Sequence, residues 1–219
     1  MILLLTRFLH VLVFVYWLGG DLGAFYSAGL LTDRRRATEG RLAAAQVLFR
    51  VDLAPNTALI LAAPTGVALA LAKGWLAFPP LWLVPIWLAA LAWLVVSWRL
   101  HLIQQPQPRL STLDFWVRCG LILVLVSLGG CGLAGIVSLP LFLSLKLLIL
   151  AAATVLGLIV RHFLKAFTPA FMALATGAGT AETDDVIADT LGKSRYAVLG
   201  IWTLLAAAAL LGIAAPVSA

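Results

Sequence analysis

Charge is scarce in this chain: 11% of its 219 residues are Asp, Glu, Lys or Arg, against about 25% in an ordinary soluble domain. Soft metal ligands are scarcer still. There are two cysteines, and the two methionines are Met1 and Met172, which leaves no methionine-rich path for copper. Cys119 and Cys131 share one apolar segment, and at about 100° per residue they point to different helix faces. That spacing argues against a disulfide or a shared metal and for two small buried hydrophobes. The first residues lack a basic n-region, and no A-x-A-like cleavage site precedes Asp21, so the opening apolar run is expected to be a retained span. Internal repeats and low-complexity tails are also missing.

What the chain has instead is hydrocarbon. Hydrophobic residues make up 63% and the mean hydropathy is +1.08. One helix needs about 20 apolar residues to cross a bilayer. The expected fold is therefore all-α: a polytopic membrane helix bundle of about six transmembrane helices, forming a single integral membrane domain over 1–219. The hydropathy places spans at about 2–31, 53–72, 80–98, 113–139, 140–163 and 196–215, with "SLP" at 138–140 a tight turn joining two antiparallel neighbours.

The net charge of +6 sits mostly in short loops, which reads as topology rather than as a nucleic-acid face. Arg34, Arg35, Arg36, Arg41, Arg50, Arg99, Arg109, Arg161, Lys165, Lys193 and Arg195 fall on one side; Arg7 and Lys73 fall on the other. The positive-inside rule then makes the first side cytoplasmic and puts both termini in the periplasm of a bacterial inner (plasma) membrane. Two cytoplasmic segments have helical character. "EGRLAAAQVLFR" at 39–50 is expected as a short interfacial helix. "AETDDVIADTLGKSR" at 181–195, acidic early and basic late, matches a helix dipole. Both are expected to lie on the surface as connectors.

Ionisable groups inside spans are rare and usually face the bundle interior or a cavity. His10 and Lys146 fall at one outer level, where they would line a common pocket with Arg7 near its mouth. Thr6, Phe14 and Trp17 share the helical face of His10. Asp21 lies on that face too, eleven residues on, which is about 16 Å deeper. Near that inner level collect Asp52, Asn56, Asp114, Arg118, Arg99, His101, Arg161 and His162. Asp114 and Arg118 are spaced to pair at i, i+4. Asp52 either caps span two or joins the cluster, and Arg99, Arg161, His101 and His162 either snorkel to headgroups or line a site. The glycines of "GGDLG" and "GGCGLAG", with Gly19 and Gly23 at small-xxx-small spacing, suit close helix approach or room for a flat cofactor. Pro64 is expected to kink span two.

The stretch "LHVLVFVYWLGGDLGAFY", a histidine followed by Trp-Leu-Gly-Gly, resembles the first span of the CopD and HemJ-type membrane protein superfamily. "RVDLAPNTALILAAPTGVALAL" is similar to its second span, and "SLKLLILAAATVLGLIVRH" to a later one with Lys-Leu near its start. Together they cover about a third of the chain. HemJ-type members are haem b proteins that oxidise protoporphyrinogen IX, and the resemblance implies His10 as axial ligand with Lys146 at the lysine position. CopD-type members are linked to copper uptake. The chain departs from both, with six expected spans where HemJ types have four and no histidine just before Lys146.

The leading expectation is a haem b-binding membrane protein with a redox role, electron transfer or a porphyrin-type oxidoreductase. His10 would hold the iron, with Trp17 lining the site and Lys146 and Arg7 pairing with propionates. With no second outer histidine, such a haem would be five-coordinate, lysine-ligated or shared in a homo-dimer, while His101 and His162 would hold a second one. The alternatives are a transporter of copper, another metal or a small solute, with Asp21, Asp52, Asp114 and Arg118 as a proton or charge relay, and a membrane anchor or assembly subunit. The expected surroundings are the lipid bilayer, with no nucleic-acid partner.

Overall fold

The computed structural model describes residues 2–103 and 107–215. Among these residues the elements are helical throughout: α1 Ile2–Thr32, α2 Thr38–Val51, α3 Leu53–Ala72, α4 Leu83–Leu102, α5 Pro108–Leu133, α6 Leu141–Ala175 and α7 Ala181–Ile213, with a 3-10 turn at Pro80–Trp82 before α4. Hydrocarbon offers backbone amides no partner, so a spanning segment must satisfy them within itself, as a helix does. Six helical segments are long and apolar enough to cross a membrane, with α2 and α3 counted as one over Thr38–Ala72. The protein is a multi-pass membrane helix bundle. The end that carries α2 and the arginine-rich loop is called the basic end below.

α2 forms where the 39–50 stretch predicts a helix, but it is not a surface connector. Arg41, Ala44 and Ala45 are buried, and Asp52 keeps helical dihedrals (φ −60°, ψ −18°), so α2 runs almost directly into α3. Asp52 makes no side-chain capping bond; its carboxylate Oδ2 accepts instead from Asn56 Nδ2 at 3.0 Å.

The largest departure is at the basic end of α6 and α7. α6 continues to Ala175, past the expected end at 163, and α7 starts at Ala181, so the 181–195 stretch is the first half of the sixth span's own helix. Thr180 caps α7 reciprocally with Thr183. Lys193 pairs with Asp189 one turn away at 2.6 Å instead of sitting at a helix end. The reason is burial: Phe167 and Leu174 of α6 and Ile187 and Leu191 of α7 pack with Leu31, Ala44 and Ala45 into one apolar cluster. At 1.5 Å per residue α6 is about 52 Å long, well over the roughly 30 Å of hydrocarbon.

Arg41 locks this cluster. Its Nε donates to the Leu31 carbonyl at the end of α1 at 2.8 Å, and its Nη2 pairs with Asp184 of α7 at 2.6 Å. Beside it, exposed Arg34 pairs with Asp185, and that hydrogen bond raises the guanidinium above its ordinary range.

At the opposite end α5 stops at Leu133, earlier than the expected 139. Gly135 takes a left-handed turn (φ +72°) and residues 134–140 form the link, a longer connection than "SLP" alone. α5 and α6 are packed neighbours as expected. A side chain at Gly129 would run into Leu148 and the Ser144 carbonyl, and one at Gly132 into the Ser144 side chain, whereas Gly130 faces open space. On α1 the close approach uses Gly20, against Ala54 and Pro55, and Gly23, against Val51; Gly19 touches nothing. The α2–α3 junction selects that face, one residue round from the i, i+4 pair suggested by spacing.

Candidate functional site

The middle of the bundle is apolar. Trp17 packs with Ala58 and Leu59 of α3, Ala153 of α6, and Ile201 and Leu205 of α7. Polar groups collect on either side of this layer.

Towards the end opposite α2, His10 of α1 faces α3. Its Nδ1 lies 3.0 Å from Thr65 Oγ1. Thr65 has one hydroxyl proton, and it donates that to the Leu61 carbonyl at 2.6 Å. The imidazole must therefore donate from Nδ1–H, which leaves the Nε2 lone pair as its available acceptor. Thr65 directly follows Pro64 inside α3, and its hydroxyl back-bonds to the carbonyl one turn earlier on the same helix. Gly66 comes next, and a Cβ there would stand 3.3 Å from His10 Cε1. Its hydrogen keeps the imidazole edge clear.

Lys146 belongs to the same region. Its ammonium is within electrostatic range of His10, and Nζ lies 2.8 Å from where a Cβ of Gly212 would stand. Gly212 is one residue from the end of α7, while Gly66 is six residues, about 9 Å, inside the end of α3. The lysine thus runs its methylenes along the bundle and holds its charge near the rim. No acidic side chain pairs with it among the described residues. Arg7 is exposed on the outside of α1.

Towards the basic end three helices meet on one carboxylate, and a fourth joins through its arginine partners. Asp114 of α5 accepts from Trp93 Nε1 of α4 at 2.8 Å on Oδ1. On Oδ2 it accepts from Arg118 Nε at 2.9 Å and Arg161 Nη1 of α6 at 2.7 Å. Both arginines also donate to Asn56 Oδ1 of α3, at 3.1 and 2.9 Å. The Arg118 guanidinium lies 5.4 Å from the Trp93 ring centroid. The i, i+4 pairing of Asp114 and Arg118 holds. Arg161 turns inward to the cluster rather than snorkelling away. Asp114 and Arg118 are 1% and 2% exposed in their side chains, so the network closes on itself.

Asp21 is of a different kind. It is buried, and its Oδ2 has no hydrogen-bond partner. Trp17, one turn earlier on α1, and Asp52 at the α2–α3 junction are the side chains acting on it. His101 bonds the Phe49 carbonyl of α2, tying the end of α4 to that helix. His162 is exposed beside Phe163.

Depth along the helices is legible in the sequence, and it brings His10 to Lys146 and Asp114 to Arg118. Thr65, Gly66, Trp93 and Gly212 were not singled out; the one local signal for Thr65 is its place directly after Pro64. No group of three or more His, Cys, Asp and Glu poised to hold a metal ion occurs among the described residues. No family model, curated protein or solved structure matches the chain, so the likeness to CopD and HemJ-type proteins rests on the quoted stretches alone.

Proposed function

We propose that this protein is a haem b-binding redox protein of the bacterial inner membrane, with both termini on the periplasmic side and His10 as the iron ligand. The observation that carries the reading is the Thr65 hydroxyl. By accepting a hydrogen bond from Nδ1–H it orients the imidazole and leaves Nε2 for a metal. Gly66 clears the edge of the ring, and the unpaired Lys146 ammonium sits nearer the rim, where an acidic substituent of a ligand held by His10 would reach it. Bound there, haem would supply a one-electron iron couple whose potential depends on the axial ligand and its burial.

In this reading the chain's own residues have separate tasks. His10 ligates, Thr65 fixes its tautomer, Lys146 neutralises the anionic edge, and the Trp17 layer keeps water from crossing. A second histidine at the same level would have to come from a second copy of the chain in a homo-dimer. The test is the visible absorption spectrum of purified full-length protein, oxidised and reduced. A Soret band in the wild type that is lost in His10→Ala supports the proposal. A wild type with no band after expression with added haem precursor, or a band unchanged by His10→Ala, overturns it. Porphyrin oxidation or electron transfer to a partner would be the activity of such a site.

A second reading, ion-coupled transport, is favoured by one observation: the buried Asp21 carboxyl oxygen without a partner. Solute or metal uptake into vesicles that is abolished in Asp21→Asn would support it.

A further inference from the structure

The bundle buries two carboxylates in opposite ways. Asp114, 1% exposed, spends both oxygens on three donors and neighbours two guanidinium groups. Its charge is fully compensated, so it serves as a fixed anion that holds α4, α5 and α6 together. Asp21, 9% exposed, has one oxygen with no partner. No cation pairs with it among the described residues. Burying an isolated carboxylate costs several kcal/mol or more unless a cation or a proton accompanies it.

The groups that surround Asp21 decide which one. α2, α3 and α7 pack on α1. Gly20 and Gly23 of α1 abut Ala54, Pro55 and Val51, which sets Asp21 against the α2–α3 junction and its Asp52, a second carboxylate that disfavours another negative charge nearby. From α7 comes Trp202, whose ring lies 5.1 Å from that of Phe25, one turn along α1 from Asp21. Arg195 of α7 lies over the same Phe25 ring, 4.3 Å from its centroid, and makes no ion pair with Asp21. α1 itself offers Trp17. Among the described residues the only ionisable neighbour acting on Asp21 is therefore an acid, and the smallest cation that satisfies a single free oxygen is a proton.

We propose that Asp21 is a proton-binding site of the membrane domain, and that it exchanges its proton with the basic end through Asp52. Asp52 is half-buried at the α2–α3 junction and is held there by Asn56 Nδ2 at 3.0 Å. Asn56 in turn accepts from Arg118 and Arg161. Proton arrival converts the Asp21 carboxylate to the neutral acid, with no other bond made or broken. His10 lies about 16 Å along the same helix, beyond the span of a direct transfer. Asp21 thus couples to the basic end and not to the imidazole. Asp21 and Asp52 form the proton-exchanging pair, while Asp114, Arg118 and Arg161 form a fixed network. This assignment does not depend on haem.

The experiment is an infrared pH-difference titration of the full-length protein in lipid nanodiscs, reading the carbonyl stretch of protonated carboxyl groups. The wild type should show a band at the high-frequency position of an acid in apolar surroundings, absent in Asp21→Asn. Asp52→Asn should keep the band and move its titration midpoint by more than tenfold in proton concentration. A wild type without such a band, or one retained in full in Asp21→Asn, overturns the proposal. Should Asp21→Asn lose its fold, as judged by helical circular dichroism and gel filtration, Asp21→Glu takes its place. A displaced band then supports the site, and a band left in position removes it.

Discussion

Thr65 and His10 form a hydrogen bond whose direction is set elsewhere. The hydroxyl proton goes to Leu61 at 2.6 Å, so the 3.0 Å contact to His10 runs from imidazole to oxygen. A threonine on α3 thereby chooses the tautomer of a histidine on α1.

Thr65→Val removes that choice while keeping the shape of the side chain. Under the haem proposal, occupancy measured by absorbance per protein falls by about 10–100-fold, the usual loss for a partner that orients a metal-bound histidine. Thr65→Ser restores it. Equal occupancy in the three proteins would show that Nδ1 needs no partner.

Asp114→Asn strands the Arg118 guanidinium in the interior and takes away the carboxylate partner of Arg161. Breaking a buried ion pair from one side costs about 3–5 kcal/mol, so detergent-solubilised Asp114→Asn should melt well below the wild type. Arg161→Ala should cost less, because the Arg161 side chain is 41% exposed. A double-mutant cycle between them should show coupling of about 0.5–3 kcal/mol.

Arg41→Ala opens the clamp between α1, α2 and α7. The expected loss is about 3 kcal/mol, since one partner is a backbone carbonyl and the other a partly shielded carboxylate. Limited proteolysis within 176–180 reports it, with faster cutting than in the wild type. Arg34→Ala, which removes an exposed pair, should leave the cutting rate unchanged.

Gly132→Ala drives a methyl into Ser144, and Gly20→Ala drives one into Pro55. Each should cost about 1–3 kcal/mol as overpacking. Gly19→Ala and Gly130→Ala meet open space and should be neutral or raise the melting temperature slightly. Thermal melts of the four variants check the division.

Orientation is tested with single cysteines in a background where Cys119 and Cys131 are alanine. A cysteine at Ala178 should react with a membrane-impermeant maleimide only after the inner membrane is opened, and one at Gly74 should react in intact spheroplasts. The reverse pattern would invert the proposed topology.

What was legible in the sequence follows from what a bilayer imposes. Helix count and depth come from apolar length, so His10 and Lys146 can be levelled by counting from the ends. Azimuth is another matter. Spacing alone offers Gly19 with Gly23, and Ala54 and Pro55 select Gly20 in place of Gly19. Likewise "AETDDVIADTLGKSR" looks like a solvated connector because its polar residues dominate, yet Ile187 and Leu191, one turn apart, bury it against α1, α2 and α6. Thr65 and Trp93 carried little signal because hydroxyls and indoles are ordinary in membrane helices. Their roles arise from which helix happens to face them.

α6 and α7 cross the bundle without a break, each over 30 residues long. Lys146 lies near one end of that pair against Gly212, and Asp184, gripped by Arg41, lies near the other. The two therefore sit on the same pair of rods, on opposite sides of the Trp17 layer. One packed helix pair thus carries both the lysine cation of one rim and the gripped anion of the other.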